Sequence, residues 1–362
     1  MNTIHLPYRA SAMSVTPAKN FVSKKNLFSG ISQLTPPTSM QSSRFINDRL
    51  PIDGRDTVSS AIERLDEAMT VTGEVYSGNE AFTTLIGLKF KPGLPQQAQP
   101  LDVHATIQAQ VDHAYTVSNK GKDMGFMVMS SEAQSSQSGT PFVAGKATFV
   151  AVDPASVHGS GGLKTVGVPG LTLNGAQEQQ CNAEAAQWGQ NLGGFYRQLA
   201  KRLNAQSPVS LASVASSPTR LINRNVYVTT HMLNKKGTGH GGIAAANAVK
   251  DMKQLVKNIQ GSQVGTGESV VEDMTASYLA PFYVHNALQF DTTLDHIDDQ
   301  GRLYLSTRIG KLDTKKREAE GPIILVHSRI RPSAPVSWSV NAMDSDAIER
   351  QKEAVQWAQW VG

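Results

Sequence analysis

Cysteine is almost absent from this chain, since Cys181 is the only one among 362 residues. A single thiol excludes an intramolecular disulfide framework and a cluster of cysteine metal ligands, and it favours a reducing compartment. Long apolar runs are missing as well: no stretch approaches the roughly 20 apolar residues that a membrane-spanning helix needs, so we expect no membrane span. With 40% hydrophobic and 18% charged residues, the composition excludes a fully disordered chain and predicts a globular one.

Acidic residues are missing from the first 47 positions, because the first carboxylate of the chain is Asp48. The formal charge of the whole chain is +4. Outside this head, the remaining 29 Lys and Arg face 30 Asp and Glu, so no basic surface is predicted for the folded part and we expect no nucleic-acid partner. All the excess positive charge comes from five side chains in the head: Arg9, Lys19, Lys24, Lys25 and Arg44.

We interpret residues 1–47 as a disordered or targeting leader. The segment is rich in Ser, Thr and Asn with scattered basic residues, as in an organellar transit peptide, and it lacks the continuous apolar core of a secretory signal. A disordered bacterial leader has a similar composition. The predicted location is therefore cytoplasmic, with the mitochondrial matrix as the alternative if the leader is a transit peptide.

The first half of the remaining chain reads as one helix followed by a four-strand meander. Asp56 is a predicted N-cap, and the apolar positions Val58, Ile62, Leu65 and Met69 have helical spacing. Turn-rich pieces then separate four segments of alternating or β-branched character. These predicted strands are 82–90, 103–117, 124–133 and 142–152.

The second half repeats the same order about 180–185 residues later. A predicted strand at 225–232 leads through a Gly-rich turn to a helix at 242–259, and four strands follow. We read this as an internal duplication. Because the strands follow one another without intervening helices, each half is predicted to be α+β with an antiparallel sheet. The four later strands are predicted at 276–284, 288–297, 302–312 and 323–331.

Five segments result from these observations. The first duplicated unit is predicted at 48–153 and the second at 220–335. A connector that contains a helix joins them at 154–219, and a C-terminal helix at 336–362 is expected to pack on the body.

The most specific motif lies between a predicted strand and a predicted helix, and reads Asn234-Lys-Lys-Gly-Thr-Gly-His-Gly-Gly242. Its glycines allow the backbone to approach a ligand closely, and the helix N-terminus presents unpaired N–H groups together with the positive end of the helix dipole. Together these features could form an oxyanion hole. The motif is neither a phosphate-binding P-loop nor a dinucleotide fingerprint.

The pattern Asn-x-x-Gly-x-x-His-Gly-Gly before a helix resembles the acyl-CoA thioesterases of the hot-dog superfamily, in which an antiparallel sheet wraps around a long helix. The duplicated layout resembles the double hot-dog members. The resemblance implies hydrolysis of an acyl-CoA or another acyl thioester, with coenzyme A only as part of the substrate, no other cofactor and no metal. It also implies that the Gly242 N–H donates to the thioester carbonyl and that Asn234 orients the water or the carbonyl.

The acid of the family normally lies about seven residues after that glycine, and Val249 stands there. Asp66 on the first helix resembles the missing acid, while that helix has no Gly-Gly at its start. The halves look complementary, so the resemblance implies one site built from both, with Asp66 as the general base. Helical angles favour Asp66 over Glu67, because Asp66 lies at the edge of the apolar face and Glu67 points almost opposite.

Four other residues of the motif are predicted to contact the substrate, the two lysines through the phosphates of coenzyme A: Gly241, His240, Lys235 and Lys236. Each site residue also has an ordinary structural explanation. Asp66 would be a solvated helix residue, Asn234 a turn former, and His240 a capping or packing residue. The glycine pair would simply allow close helix packing.

Two other functions stay open at this point. An acyl-thioester dehydratase or hydratase uses the same fold, although its Asp-x-Asn-Pro-x-His segment is absent here. A degenerate pair that binds an acyl chain or acyl-CoA, or that serves as an assembly subunit, would need no catalytic acid. In every case we expect a homo-oligomer.

Overall fold

The computed structural model describes residues 31–34, 42–50, 56–92, 94, 103–135, 138–157, 162–170, 219–228, 232–234, 237–261, 267–284, 286–313 and 318–336. Several predicted features lie outside these residues. They are Cys181, the substrate-binding candidates Lys235 and Lys236, the connector helix, the C-terminal helix and the first 30 residues of the leader.

The first unit consists of one long helix and six strands within the described part of the chain. Helix α1 spans Thr57–Ser77 and begins at the predicted cap, since the Asp56 carboxylate accepts the Ser59 N–H at 2.7 Å. It ends at Gly78, whose φ of 67° is a left-handed conformation that glycine adopts without strain. The strands are β1 (Ile31–Leu34), β2 (Ser42–Leu50), β3 (Glu80–Phe90), β4 (Val103–Asn119), β5 (Lys122–Ser135) and β6 (Pro141–Val152).

The second unit repeats this order without a counterpart of β1 among the residues described. Helix α2 spans Gly241–Gln260, close to the predicted bounds, and buries an alternation of small and large apolar side chains that includes Ala245, Met252 and Val256. The strands are β7 (Arg220–Tyr227), β8 (Val270–Tyr278), β9 (Ala287–Ile297), β10 (Leu303–Asp313) and β11 (Glu318–Arg331).

All the described strands form one eleven-stranded antiparallel sheet in the order β1-β2-β4-β5-β6-β3-β8-β11-β10-β9-β7. Both units use the same internal order, in which the strand that follows the helix lies beside the last strand. The units join where β3 pairs with β8, with Gly87 opposite Thr275 at the middle of the paired segment. We call this β3–β8 pairing the seam. The predicted α+β class and the duplication are confirmed.

The duplication extends to a shared irregularity in the ladders beside the seam. The pairing of β3 with β6 skips one residue between Thr83 and Leu85, and the pairing of β8 with β11 skips one residue between Val271 and Asp273. A β-bulge leaves one extra residue unpaired and increases the local twist, so its position is specific. Matching the two bulges makes Val271 the counterpart of Thr83.

The same alignment holds at the far ends of these strands. Phe90 at the end of β3 faces Val143, and Tyr278 at the end of β8 faces Ile324. Val143 and Ile324 occupy equal places in the two segments that begin Pro-Phe-Val and Pro-Ile-Ile, which already match in sequence. Phe90 is therefore the counterpart of Tyr278.

Three strand predictions differ from the structure. β3 lies beside β6 instead of β4, so the four strands after α1 are not a simple meander. β8 spans Val270–Tyr278 and so lies six residues before the predicted 276–284 at both ends. Pro281, which has no N–H for a ladder, lies beyond its end. β7 ends at Tyr227, before the predicted end at 232, because its partner on β9 begins at Ala287.

The boundary predicted for the leader is also corrected. β2 begins at Ser42 and pairs with β4 from Gln110 to Val103, and β1 pairs with β2. Residues 31–34 and 42–47 therefore belong to the first unit. Composition alone predicted a leader up to residue 47, because the partner that makes a segment into a strand lies far along the chain.

The two helices pack against each other and against the strands of their own units, so one hydrophobic core runs through both halves. Burial of each large apolar side chain contributes about 1.5–3 kcal/mol relative to its exposure. The helices approach closely at Gly242, where a Cβ atom would lie 3.1 Å from the Cα of Glu63 on α1. Neither of these two described helices is long and apolar enough to cross a membrane.

Candidate active site

The turn that leads into α2 is organised by Asn234. Its Nδ2 donates to Thr238 Oγ1 at 2.8 Å, and its Oδ1 accepts the Thr238 N–H at 3.3 Å. The Gly237 N–H donates to the carbonyl of Asn234 at 3.0 Å, and Gly237 has a φ of 76° that suits only glycine. These contacts support the turn-forming explanation of Asn234, with its side-chain amide engaged inside the turn.

The loop after this turn is fixed against β8 and the residues beyond it. The Gly239 N–H donates to the carbonyl of Phe282 at 2.6 Å, and the His240 N–H donates to that of Met232 at 2.7 Å. A Cβ atom on Gly239 would lie 1.9 Å from the Phe282 ring, so no larger residue fits there. His240 is then the N-cap of α2 in an extended conformation, and its side chain makes no capping hydrogen bond.

Asp66 from α1 meets the N-terminus of α2. Its carboxylate is buried, at 4% exposure, and Oδ2 accepts the Gly242 N–H at 3.2 Å. Oδ1 accepts the hydroxyl of Thr83 on β3 at 2.7 Å. The positive end of the α2 dipole adds an attraction for the negative carboxylate. The structure thus brings together Asp66 and Gly242, which the sequence predicted to act together from opposite halves.

Glu67, the other acid of this segment, lies away from the site. Its Oε2 accepts from the Arg64 guanidinium at 2.8 Å in a partly exposed i,i+3 ion pair. The helical angles that favoured Asp66 over Glu67 therefore describe the two side chains correctly.

Two further polar groups lie at the start of α2, where the Asp66 carboxylate is held. His240 Nδ1 lies 3.5 Å from Asp66 Oδ2. Burial, and to a smaller extent the charge of Asp66, raises the pKa of the Tyr278 hydroxyl well above its usual value. Among the described residues, neither His240 Nδ1 nor Tyr278 Oη has a hydrogen-bond partner, and both atoms are buried. Unsatisfied buried polar atoms are rare in folded proteins and often mark a site that a ligand or water completes.

Gly241 provides the surface on which Tyr278 rests. A Cβ atom on Gly241 would lie 2.6 Å from Cε1 and 2.9 Å from Cζ of that ring, so only glycine lets the ring lie against the first turn of α2. The structure therefore gives Gly241 a packing contact, which is one of the two explanations that the sequence left open.

Thr83 and Tyr278 carry no signal in the sequence that predicts a site. Threonine and tyrosine are ordinary strand residues, and neither stands near the motif. The difference between the halves is the one signal for them, since their counterparts Val271 and Phe90 lack the hydroxyl. That signal becomes visible only when the strand registers are known.

Each unit wraps five strands of the same order around one helix, and the two sheets continue across the seam. The chain has a double hot-dog fold. Solved structures resemble it over most of its length, at low identity and with TM-scores below 0.5. No protein-family model matches the chain, and no curated protein matches it.

Three of these structures illustrate the range. A Lactobacillus plantarum protein assigned as an oleoyl thioesterase shares 10% identity, with 85% of this chain and 99% of that chain covered and a TM-score of 0.46. A 12:0-ACP thioesterase from Umbellularia californica shares 7% identity, with 81% and 97% covered and a TM-score of 0.43. A conserved hypothetical protein of Mycobacterium tuberculosis with a double hot-dog fold shares 13% identity, with 75% and 80% covered and a TM-score of 0.43.

The start of α1, which corresponds to the α2 entrance in the other half of the double hot-dog, is built differently. Asp56 caps its own helix there by accepting the Ser59 N–H. Lys253 from α2 lies over this end, with Nζ 3.8 Å from Asp56 Oδ2 and 3.3 Å from Glu268 Oε1. Lys253 is 7% exposed, so the α1 entrance is closed by a cap and a buried cation.

The polar positions of the site are apolar on this other side. Val249, 1% exposed, stands on α2 where the family acid is expected, and Val271 and Phe90 correspond to Thr83 and Tyr278. The double hot-dog thus has two unlike helix entrances. Within the described residues, the α2 entrance holds the buried Asp66 carboxylate together with the unsatisfied atoms His240 Nδ1 and Tyr278 Oη, whereas the unsatisfied atom at the α1 entrance is Glu268 Oε2. No group of three or more metal-ligating side chains occurs in the described part of the chain.

Proposed function

We propose that the protein hydrolyses an acyl-CoA or a related acyl thioester. The observation that carries this proposal is the buried Asp66 carboxylate, held at the N-terminus of α2 with its Oδ2 3.2 Å from the Gly242 nitrogen. A base fixed at a helix N-terminus places the group that activates water next to a positive electrostatic field. Hydrolysis needs such a field, because negative charge develops on the carbonyl oxygen.

Asp66 is the general base in this proposal. The carboxylate accepts one proton from a water molecule while the water oxygen forms a bond to the thioester carbonyl carbon, and the carbonyl π electrons move to the oxygen. The resulting tetrahedral intermediate collapses and the carbon–sulfur bond breaks. The thiolate leaves and takes up the proton that Asp66 accepted, which restores the carboxylate. The products are a carboxylic acid and coenzyme A, and no further cofactor is required.

Thr83 and Gly242 hold the base. Each donates to a different oxygen of Asp66, and a carboxylate has about four lone-pair positions, so it can still accept from a water. Because the Gly242 N–H already donates to Asp66, we assign this group to orienting the carboxylate. The bonds that Asn234 makes to Thr238 support a positioning role for Asn234, which shapes the loop before His240.

The remaining predicted residues belong to substrate binding. His240 Nδ1, 3.5 Å from Asp66 Oδ2, is placed to contact the attacking water or the thioester. Lys235 and Lys236 immediately precede Gly237 in sequence, and we assign them to the phosphates of coenzyme A, which lysine recognises as a point charge.

A panel of acyl-CoA substrates of increasing chain length, assayed for released thiol, tests the proposal. We expect turnover with at least one member and a loss of about 10²–10⁴-fold in kcat for Asp66→Asn, which keeps the shape of the side chain and removes its basicity. Glu67→Gln is the matched control, because it removes the neighbouring acid outside the site. Equal activity of wild type and Asp66→Asn would rule out the mechanism.

The same assay separates hydrolysis from the non-catalytic alternative. If no chain length yields thiol while acyl-CoA still binds in a calorimetric titration, the protein is an acyl-CoA-binding protein and the enzymatic proposal is wrong.

A further inference from the structure

Tyr278 is a half-buried side chain with a buried hydroxyl oxygen, and the proposed mechanism has not used it. It ends β8 at the seam, and its ring lies on the first turn of α2, with Cζ 2.9 Å from where a Cβ atom of Gly241 would be. Its hydroxyl is attached to that Cζ atom, so it too lies at the α2 entrance, and its pKa responds to the charge of Asp66.

The hydroxyl is not needed for packing. At the corresponding place in the other half, Phe90 fills the end of β3 and is 6% exposed, so the fold accepts a ring without a hydroxyl there. Burying a hydroxyl without a hydrogen-bond partner costs free energy, and Tyr278 Oη has none among the described residues. A group that is costly and dispensable for packing points to a role with a ligand.

The position of the reacting atoms defines that role. A water activated by Asp66 must lie about 3–3.5 Å from the carbonyl carbon that it attacks, so the thioester carbonyl has to lie close to the α2 entrance. The Gly242 N–H is engaged by Asp66, whereas the proton of Tyr278 is available.

We propose that the Tyr278 hydroxyl is a catalytic oxyanion donor, which gives its hydrogen bond to the thioester carbonyl oxygen as negative charge builds there. Tyr278 keeps its proton throughout and only donates a hydrogen bond, so the balance of the hydrolytic step is unchanged. The raised pKa of this hydroxyl, which burial causes, keeps its proton in place for donation. The inference rests on the proposed thioester hydrolysis and names a group that stabilises its transition state.

Tyr278→Phe is the direct test, because it restores the residue that the other half carries. Loss of one oxyanion donor costs about 10²–10³-fold in kcat, so we expect a fall of that size in kcat with KM changed by less than about threefold. Tyr76→Phe is the control: Tyr76 is a buried tyrosine, whose hydroxyl donates to the Pro169 carbonyl at 2.8 Å, outside the site. A kcat for Tyr278→Phe within threefold of wild type, in an active enzyme, overturns the inference and leaves the proposed function intact.

A binding experiment decides the inference even if the wild-type protein shows no turnover. One probe is an acyl-CoA ketone in which CH₂ replaces sulfur, and the other is the S-alkyl thioether of coenzyme A, which lacks the carbonyl oxygen. We expect wild type to prefer the ketone by about twofold to tenfold, as one net hydrogen bond gives, and Tyr278→Phe to lose this preference. A preference that persists in Tyr278→Phe, or no binding of either probe to wild type, overturns the assignment.

Discussion

Thr83→Val tests how the catalytic carboxylate is held. The change replaces a hydroxyl by a methyl group of nearly equal size and removes the 2.7 Å hydrogen bond to Asp66 Oδ1. Val271, the counterpart of Thr83 beside the other bulge, shows that valine is compatible with this strand position. The backbone should therefore stay in place, and the effect should come from the lost contact.

The size of the effect follows from the charge of the acceptor. A hydrogen bond to a charged group contributes about 1.5–3 kcal/mol, against about 0.5–1.5 kcal/mol for a neutral one. The added methyl group recovers less than about 0.8 kcal/mol, because Thr83 is only half-buried. We expect the free energy of unfolding to fall by about 1–2 kcal/mol. We also expect kcat to fall about 10–100-fold, because small misplacements of a catalytic group have effects of that order.

Urea unfolding followed by circular dichroism and steady-state thiol release measure the two quantities. The control is Thr84→Val on the same strand, since Thr84 Oγ1 donates to the Thr148 carbonyl at 2.9 Å and lies outside the site. It should lose stability and keep kcat. Thr83→Val should also cost about 1 kcal/mol less in the Asp66→Asn background, where the acceptor is neutral. An equal cost in both backgrounds, or an unchanged kcat in Thr83→Val, would refute the reasoning.

Two further substitutions examine the helix entrances. In Gly242→Ala the new Cβ would lie 3.2 Å from Asp66 Oδ2 and 3.1 Å from the Glu63 backbone, so we expect kcat to fall at least tenfold in the thiol assay. Its stability should change by less than about 2 kcal/mol, because overpacking is partly offset by the higher helix propensity of alanine. Lys253→Met leaves Asp56 and Glu268 without their buried cation. It should lower the free energy of unfolding, measured in urea, by about 1–3 kcal/mol and leave kcat unchanged. A large loss of activity would contradict a purely structural role of the α1 entrance.

Much of the fold could be predicted from local patterns. The helical spacing after Asp56 and the glycines before α2 are signals that depend on neighbouring residues, and both helices lie where these signals predict them. β2 and β8 were harder, because a strand is defined by its partner. Ser42–Leu50 lies in a segment whose composition indicates a leader, and it is a strand through its pairing with β4.

The site could be predicted in part for the same reason. Asp66 and Gly242 stand in recognisable segments, and the resemblance to a family with composite sites placed them together across the two halves. Tyr278 and Thr83 come from strands without a motif, and only the seam and the bulge bring them to the carboxylate. The side-chain bonds of Asn234 to Thr238 likewise depend on the conformation of the turn, which the spacing of residues does not determine.

The two helix entrances differ, so one of them can stabilise the fold while the other holds the groups of the candidate site. The capped and ion-paired start of α1 stabilises the fold, whereas the start of α2 keeps two buried polar atoms without hydrogen-bond partners, which cost stability. In a symmetric pair of identical subunits, every such cost is incurred twice. Because both halves lie in one chain and can differ, the contacts of Lys253 and Asp56 at the α1 entrance can offset the cost of the unsatisfied atoms at the α2 entrance, and stabilising substitutions are best sought around α1.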